Sequence, residues 1–195
     1  MTPDTGSSWI IQAQKMDRML WGIELLPSQI QAANPLLIML LVPLFSYLIY
    51  PLLNRCFVLT AIRKMQLGLF LTVIAFAIPS IIQMQLDAGL TPTILWQLLA
   101  YVLLTSAEVM VSITCLEFSY TQAPATMKSF VMAFYFLSVA LGNLFTSAVN
   151  FLIHNIDGSS KLAGADYYWF FTGLMLITAA LFLWVSQRYH ETDND

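Results

Sequence analysis

Two carboxylates, Glu108 and Glu117, sit in the stretch SAEVMVSITCLEFSYTQAP, residues 106–124, whose other residues suit the interior of a bilayer. An acid at the centre of a spanning helix costs about 2.5–3.5 kcal/mol on insertion scales, so its retention points to a function. At about 100° per residue, Glu108 shares a helix face with Tyr101, Thr105, Ser112, Cys115 and Ser119, one polar stripe. Leu99, Val102, Met110 and Ile113 make the opposite face, suited to lipid or helix packing. A carboxyl on such a stripe passes between a protonated and a cation-paired form, which is what proton-coupled transport requires. The competing role is interhelical glue, an acid held by hydrogen bonds or an ion pair between packed helices. Glu117 follows about 180° around the helix and ~13 Å nearer the cytoplasm, so the two acids do not share a site. For Glu117 a gate or a structural ion pair at the helix end, with Lys128 as a candidate cation, competes with a transport role.

Other polar residues in the apolar runs have plainer readings. Ser138, Gly142 and Thr146 recur every four residues, a small-residue face for close helix contact. Asn143 and Asn150 lack charge partners and read as interhelical hydrogen bonders. Trp9 and Tyr135 either line a cavity or pack as ordinary aromatics. His154 and His190 fall at span ends without metal-ligand spacing, and Cys56 and Cys115 show neither CxxC nor Cys/His spacing, so packing thiols are expected and no metal site is. No Ser/His/Asp grouping, phosphate loop or HExxH occurs, so the chain is expected to have no catalytic residues and not to be an enzyme.

The elements that must hold these residues follow from composition. Of 195 residues 58% are hydrophobic and 10% charged, with eight Lys and Arg against eleven Asp and Glu. This places the chain outside the soluble globular range, and no basic surface suggests nucleic acid. A bilayer core takes about 20 apolar helical residues, and the runs near 28–53, 65–86, 94–119, 129–153 and 167–187 meet that length. Lipid leaves backbone groups unserved, so each run is predicted helical. The expected fold is an all-α membrane protein with five transmembrane helices and, from Trp9 to Gln14, the remnant of a sixth. The first span carries Pro35, Pro43 and Pro51, each favouring a bend, and starting it at Pro27 puts Asn34 two turns inside the helix. Arg55, Arg63, Lys64, Lys128 and Arg188 fall on one side, and Lys15, Arg18 and Lys161 on the other. That bias predicts an outside N-terminus and a cytoplasmic C-terminus. Tyr167, Tyr168 and Trp169 at one end of the last span, with Trp184 and Tyr189 at the other, fit aromatic belts.

The stretch AEVMVSITCLEFSYTQAPATMKS closely resembles the tenth transmembrane helix and following turn of the proton-dependent oligopeptide transporters, within the major facilitator superfamily. GSSWIIQA with MDR resembles the end of that family's seventh helix, and PSQIQAANPLLIMLLVPLF its eighth. The resemblance runs in order over essentially the whole chain and implies most of a C-terminal transporter bundle, without an N-terminal bundle. It implies that Glu108 holds a peptide's free amino terminus and that Asn34 joins it there. It also implies that Ser112 faces the cavity, that Trp9 lies near the pocket, and that Tyr135 stands where some members place a cavity tryptophan. Cys115 replaces the glycine usual in that motif. The family's first-helix coupling residues and fourth-helix lysine belong to a half that this sequence lacks, and MTPDT does not continue the seventh-helix pattern, as in a truncated reading frame or a fragment with an unrelated start. The implied substrates are di- and tripeptides, with protons as the coupling ion and no other cofactor. The implied setting is the lipid bilayer of the inner (plasma) membrane, with a separate N-terminal half as a candidate partner. The alternative is a non-transporting fragment or an interaction subunit of a split transporter.

Overall fold

Backbone groups in hydrocarbon find partners only within a helix, and the apolar runs fold accordingly. The computed structural model describes residues 5–20, 23–24, 26–56, 58–124, 126–153 and 164–188. The first four residues of MTPDT, and His154, Lys161, Tyr189 and His190, lie outside the described residues. The elements are α1 (Thr5–Gln14), α2 (Pro27–Leu44), α3 (Tyr50–Cys56), α4 (Ala61–Asp87), α5 (Leu95–Glu108), α6 (Thr114–Gln122), α7 (Lys128–Ile153) and α8 (Ala165–Ser186). Among the described residues five stretches are long and apolar enough to cross a membrane: Asn34–Cys56, Ala61–Asp87, Leu95–Gln122, Lys128–Ile153 and Ala165–Ser186. The chain is therefore an all-α integral membrane protein, with α1 as the short sixth element. Extended pairing among the described residues is slight: β1 (Met19–Leu20) pairs antiparallel with β2 (Ile23–Glu24) between α1 and α2, and Asp17 forms an isolated parallel bridge with Thr93.

Two spans are each built of two α-helices joined without a break by a π-helical turn. Phe45–Ile49 joins α2 to α3, with the Tyr50 N–H reaching the Phe45 carbonyl five residues back. This turn lies between Pro43 and Pro51, so the prolines that were expected to bend the first span flank a widened turn. Val109–Ile113, a second π-helical turn, joins α5 to α6, with the Thr114 N–H reaching the Val111 carbonyl. α2 opens with Pro27 in its first turn, and Gln29 Oε1 accepts the Leu26 N–H at 3.1 Å. α4 opens at Ala61 because Thr60 caps it, its Oγ1 accepting from Arg63 N at 3.4 Å. Arg63 and Lys64, loop residues by hydropathy, thus stand on the first turn of α4.

α4 is the central helix and packs chiefly on α8 and α5. Its approach to α5 is closest at Gly68, where a Cβ would come 2.6 Å from Val111 Cγ2 and 2.9 Å from Met110 Cβ. Trp9, Ala13, Met16, Ile82, Ile94, Ala100, Tyr101 and Tyr168 form one buried cluster. Leu41, Phe45, Val109 and Met110 form a second around the two π turns. Tyr168, an expected belt residue, is buried in the first cluster, whereas Trp169 and Trp184 are exposed as belt residues should be. The difference is helical phase: Tyr168 stands four residues before Thr172, whose hydroxyl meets Ser80 Oγ of α4 at 3.2 Å. Cys56 also departs from expectation, lying exposed in the last turn of α3.

Asp87 ends α4 and serves the start of α8. Its Oδ2 accepts the Ala165 N–H at 3.1 Å, and its Oδ1 accepts from Gln83 Nε2 at 2.9 Å. A carboxylate there satisfies an otherwise orphan amide and complements the helix dipole. Gly164 turns the chain into α8 at φ +61°, and a Cβ would lie 2.5 Å from Asp87 Oδ2. Gly164→Ala is expected to destabilise the bundle by about 1–3 kcal/mol, because the alanine must hold a glycine conformation while displacing the capping carboxylate. Thermal unfolding in detergent, followed by tryptophan fluorescence, checks this; an unchanged midpoint refutes it.

Candidate functional site

The site begins on α5. Glu108 is the last residue of that helix, midway along the 28-residue span Leu95–Gln122, and is exposed. The residues behind it are small or polar and buried: Tyr101 and Ser106 are nearly enclosed, and Ala100, Thr105 and Ala107 are fully enclosed. A carboxylate exposed at mid-span belongs in a cavity or against a partner, because facing hydrocarbon is too costly. Asn34, on the third turn of α2 and half-buried, is tied to α5 by a 2.6 Å hydrogen bond from Thr105 Oγ1 to its Oδ1. Thr105 precedes Glu108 by three residues, so all three occupy one side of α5.

The π turn Val109–Ile113 changes the helical phase beyond Glu108. One extra residue per turn rotates everything downstream back by about 100° relative to an unbroken α-helix. Beyond the turn Thr114 is 5% exposed, while Ile113 within it is 40% exposed. The polar stripe read from sequence therefore holds as far as Ser112, which is half-buried within the turn, and Cys115 and Ser119 are rotated off it. The 180° separation of Glu117 from Glu108 shrinks by the same amount.

Trp9 is 3% exposed and packs edge-on against Tyr101, ring centroids 4.7 Å apart. Its carbonyl accepts from Gln97 Nε2 at 2.7 Å. The structure thus brings Trp9 to the α5 stripe through Tyr101, as part of the core behind Glu108. Tyr135 is half-buried on α7, where its ring meets the edge of Phe136. α7 has α6 as its main neighbour, so Tyr135 is not brought to Glu108 within this chain. Of the Ser138, Gly142 and Thr146 face of α7, Gly142 is open: a Cβ there would touch nothing within 4 Å among the described residues.

Glu117 is exposed on α6, and its carboxylate acts on the hydroxyl of Tyr50, which also bonds to Thr114. Lys64 Nζ lies 4.5 Å from the centre of that same tyrosine ring. Lys128 Nζ instead sits 4.2 Å above the Tyr120 ring, and among the described residues no ion pair joins it to Glu117. Glu117 thus acts on Tyr50 of α3, whose ring Lys64 of α4 also meets, while Lys128 of α7 reaches back across the turn to Tyr120 of α6.

Sequence reasoning passed over a set of buried amides. Gln12 Nε2 donates to the Pro79 carbonyl at 3.0 Å and to Gln83 Oε1 at 3.1 Å, and Gln83 continues to Asp87. Gln12 and Gln97 are 1% and 0% exposed, and together they hold α1 to α4 and α5. The signal was available: Gln83 and Asp87 stand four apart in an apolar helix, a spacing that puts both on one face.

The family model that matches residues 3–170 is that of the POT family. Solute carrier family 15 member 3 of Rattus norvegicus is 32% identical over 193 residues, covering 84% of this chain and 33% of the relative. Peptide transporter PTR2 of Saccharomyces cerevisiae is 31% identical over 206 residues, covering 97% and 32%. The chain thus spans about a third of the length of the curated relatives that it matches. A crystal structure of an auto inhibited POT family peptide transporter superposes with a TM-score of 0.84 at 36% identity, over 96% of this chain and 38% of that one. Family match, relatives and helical arrangement agree over nearly the whole length, and these are relatives named as transporters rather than enzymes. The chain belongs to the POT family of proton dependent oligopeptide transporters.

Proposed function

We propose that the chain is the C-terminal part of a proton-coupled symporter for di- and tripeptides and that Glu108 takes the peptide's free amino terminus. The observation that carries this is Glu108 itself: exposed at mid-span, backed by enclosed polar residues, and one turn from the Thr105 that is bonded to Asn34. An ammonium is the natural counter-charge for a carboxylate in such a place, and protonation of the acid releases it. Ser112 continues the lining one turn further on, with Tyr101 and Trp9 behind it. Tyr135 joins from α7 when that helix meets the other bundle, and Glu117 with Lys64 and Tyr50 forms a closing contact at the cytoplasmic end. The N-terminal bundle, on the same or a separate polypeptide, supplies the opposite wall, and access alternates as one bundle rocks against the other. The membrane is the inner (plasma) membrane, with the amino end of the chain outside and the carboxyl end inside, as the arginine and lysine bias favours.

Uptake of labelled alanyl-alanine into proteoliposomes under an inward proton gradient tests the proposal, with the chain alone and with an N-terminal half supplied. Uptake is expected only with both halves, and N-acetyl-alanyl-alanine is expected to compete at least about tenfold more weakly, having no ammonium for Glu108. Equal competition by the acetylated peptide overturns the role of Glu108. A second reading, a bundle that does not transport by itself, is favoured by the open Gly142 face and the uncovered Glu108. Robust uptake by the chain alone contradicts that second reading.

A further inference from the structure

Two neighbouring helices each carry an exposed apolar stripe that ends in an arginine. On α4, Leu67, Phe70 and Ile74 are exposed at the spacing of one helix face, and Arg63, one turn before Leu67, is exposed on that same face. On α8, Ile177, Leu181 and Trp184 are exposed, and Arg188 follows Trp184 by four residues on the same side. Other faces of the two helices are committed to the protein, with Gly68 and Ala75 of α4 and Phe171 and Ala179 of α8 buried. The hydrogen bond from Gln66 Nε2 to Ser186 Oγ sets the start of α4 level with the end of α8, so both arginines stand at one end of the bundle.

Both guanidiniums are already placed. Arg63 Nη1 donates to the Val58 carbonyl at 2.6 Å, and the Arg188 guanidinium lies over the Trp184 ring, 4.2 Å from its centroid. Stacking engages the face of a guanidinium and leaves its in-plane N–H groups to point outward. Among the described residues no carboxylate pairs with either arginine. Arg55, Lys64 and Lys128 share this end, whereas Glu117, the one acid there among the described residues, acts on Tyr50.

We infer that the outer face of α4 and α8 docks an anionic phospholipid, with its acyl chains along the apolar stripes and its phosphate at the Arg63 and Arg188 rim. Water serves the stripes badly and hydrocarbon serves the guanidiniums badly. A molecule apolar along its length and anionic at one end meets both demands, and phosphate oxygens match the planar arginine fork. A zwitterionic lipid fits less well, because its own ammonium neutralises the phosphate. The inference is independent of the peptide reading, which rests on α2 and α5.

Native mass spectrometry of the whole chain, released from detergent, reads the affinity of single lipids. Palmitoyl-oleoyl phosphatidylglycerol is expected to bind about fivefold tighter than phosphatidylcholine with the same chains, the scale of one arginine at an anionic surface. In Arg63→Gln combined with Arg188→Gln the ratio is expected to fall to about 1.5-fold or less, and with lysine at both positions to stay above about twofold. Lys15→Gln with Arg18→Gln, at the other end of the bundle, is expected to leave the preference intact. A diazirine-bearing phosphatidylglycerol is expected to label residues 67–74 and 177–185. Equal affinities for the two lipids in the wild type, a preference that survives the double glutamine variant, or labelling confined to other helices overturns the inference. Displacement of phosphatidylglycerol by excess inorganic phosphate also overturns it, since the site then takes a free anion without the acyl chains.

Discussion

Glu108→Gln is expected to abolish proton-driven dipeptide uptake in the transporter that contains this chain. The substitution keeps the size of the side chain and removes two properties together: the charge that pairs with an ammonium and the site that a proton occupies. The two are separable by experiment. Counterflow, exchange of peptide with no proton gradient, needs only the binding half of the function and is expected to fall by at least about tenfold, the usual consequence of leaving one member of a close charge pair without its partner. Gradient-driven uptake is expected at background. Glu117→Gln provides the contrast. Glu117 is exposed on α6 and addresses Tyr50 rather than the Glu108 face, so its removal is expected to change rate and leave dipeptide affinity within about threefold. Unchanged proton-driven uptake in Glu108→Gln sinks the proposed function; equal affinity losses in both variants sink the division of labour between the two acids.

The second large effect is expected from one substitution made at two glycines. Gly68→Ala places a methyl 2.6 Å from Val111 Cγ2, 2.9 Å from Met110 Cβ and 3.2 Å from the Ala107 carbonyl, so α4 and α5 must separate. Overpacking of this kind costs about 1–3 kcal/mol, and Gly68→Leu is expected to prevent the two helices from docking. Separation also moves the π turn beside Glu108, because Val111 belongs to it. Gly142→Ala meets nothing within 4 Å, so in the isolated chain it is expected to be neutral or stabilising by up to about 1 kcal/mol, the helix-propensity gain. Unfolding midpoints in detergent for the two alanine variants decide this, and a destabilised Gly142→Ala with an unaffected Gly68→Ala would falsify the packing. In the two-half assembly Gly142→Ala tests another matter: a loss of assembly there assigns the Ser138, Gly142 and Thr146 face to contact between bundles.

Residue by residue, what could be read early depended on how local its cause was. Pro27 in the first turn of α2 is local chemistry, and with it the place of Asn34 two turns inside the helix followed from the sequence. The mid-span place of Glu108 needed only the hydropathy of its neighbours. Thr105 was on the expected stripe, yet its bond to Asn34 joins residues 71 apart and no periodicity on α5 reveals it. Cys115 and Ser119 were assigned to the Glu108 face on the premise of a uniform helix, and a single π turn removed that premise for everything beyond residue 113. The turn has no residue signature of its own in VMVSI. It lies where Gly68 of α4 admits a close crossing. Trp9, a cavity candidate whose commoner reading was packing, is core because Tyr101, Phe76 and Gln97 close around it from two other helices.

By itself the sequence determined the class of solvent, and through it nearly everything about the framework. Long apolar runs in lipid must be helices, so their number, approximate limits and all-α character follow from hydrogen-bond satisfaction alone, and the motif around Glu108 carried the family. Tertiary structure decided how those helices are phased and joined. It rotated Glu117 by a π turn, gave Asp87 to the amide of Ala165, set two glutamines to hold α1, and tied Asn34 to the buried hydroxyl of Thr105. Each of these depends on a contact between residues far apart in the chain, and hydropathy, which counts residues one helix at a time, carries no information about which helix is opposite.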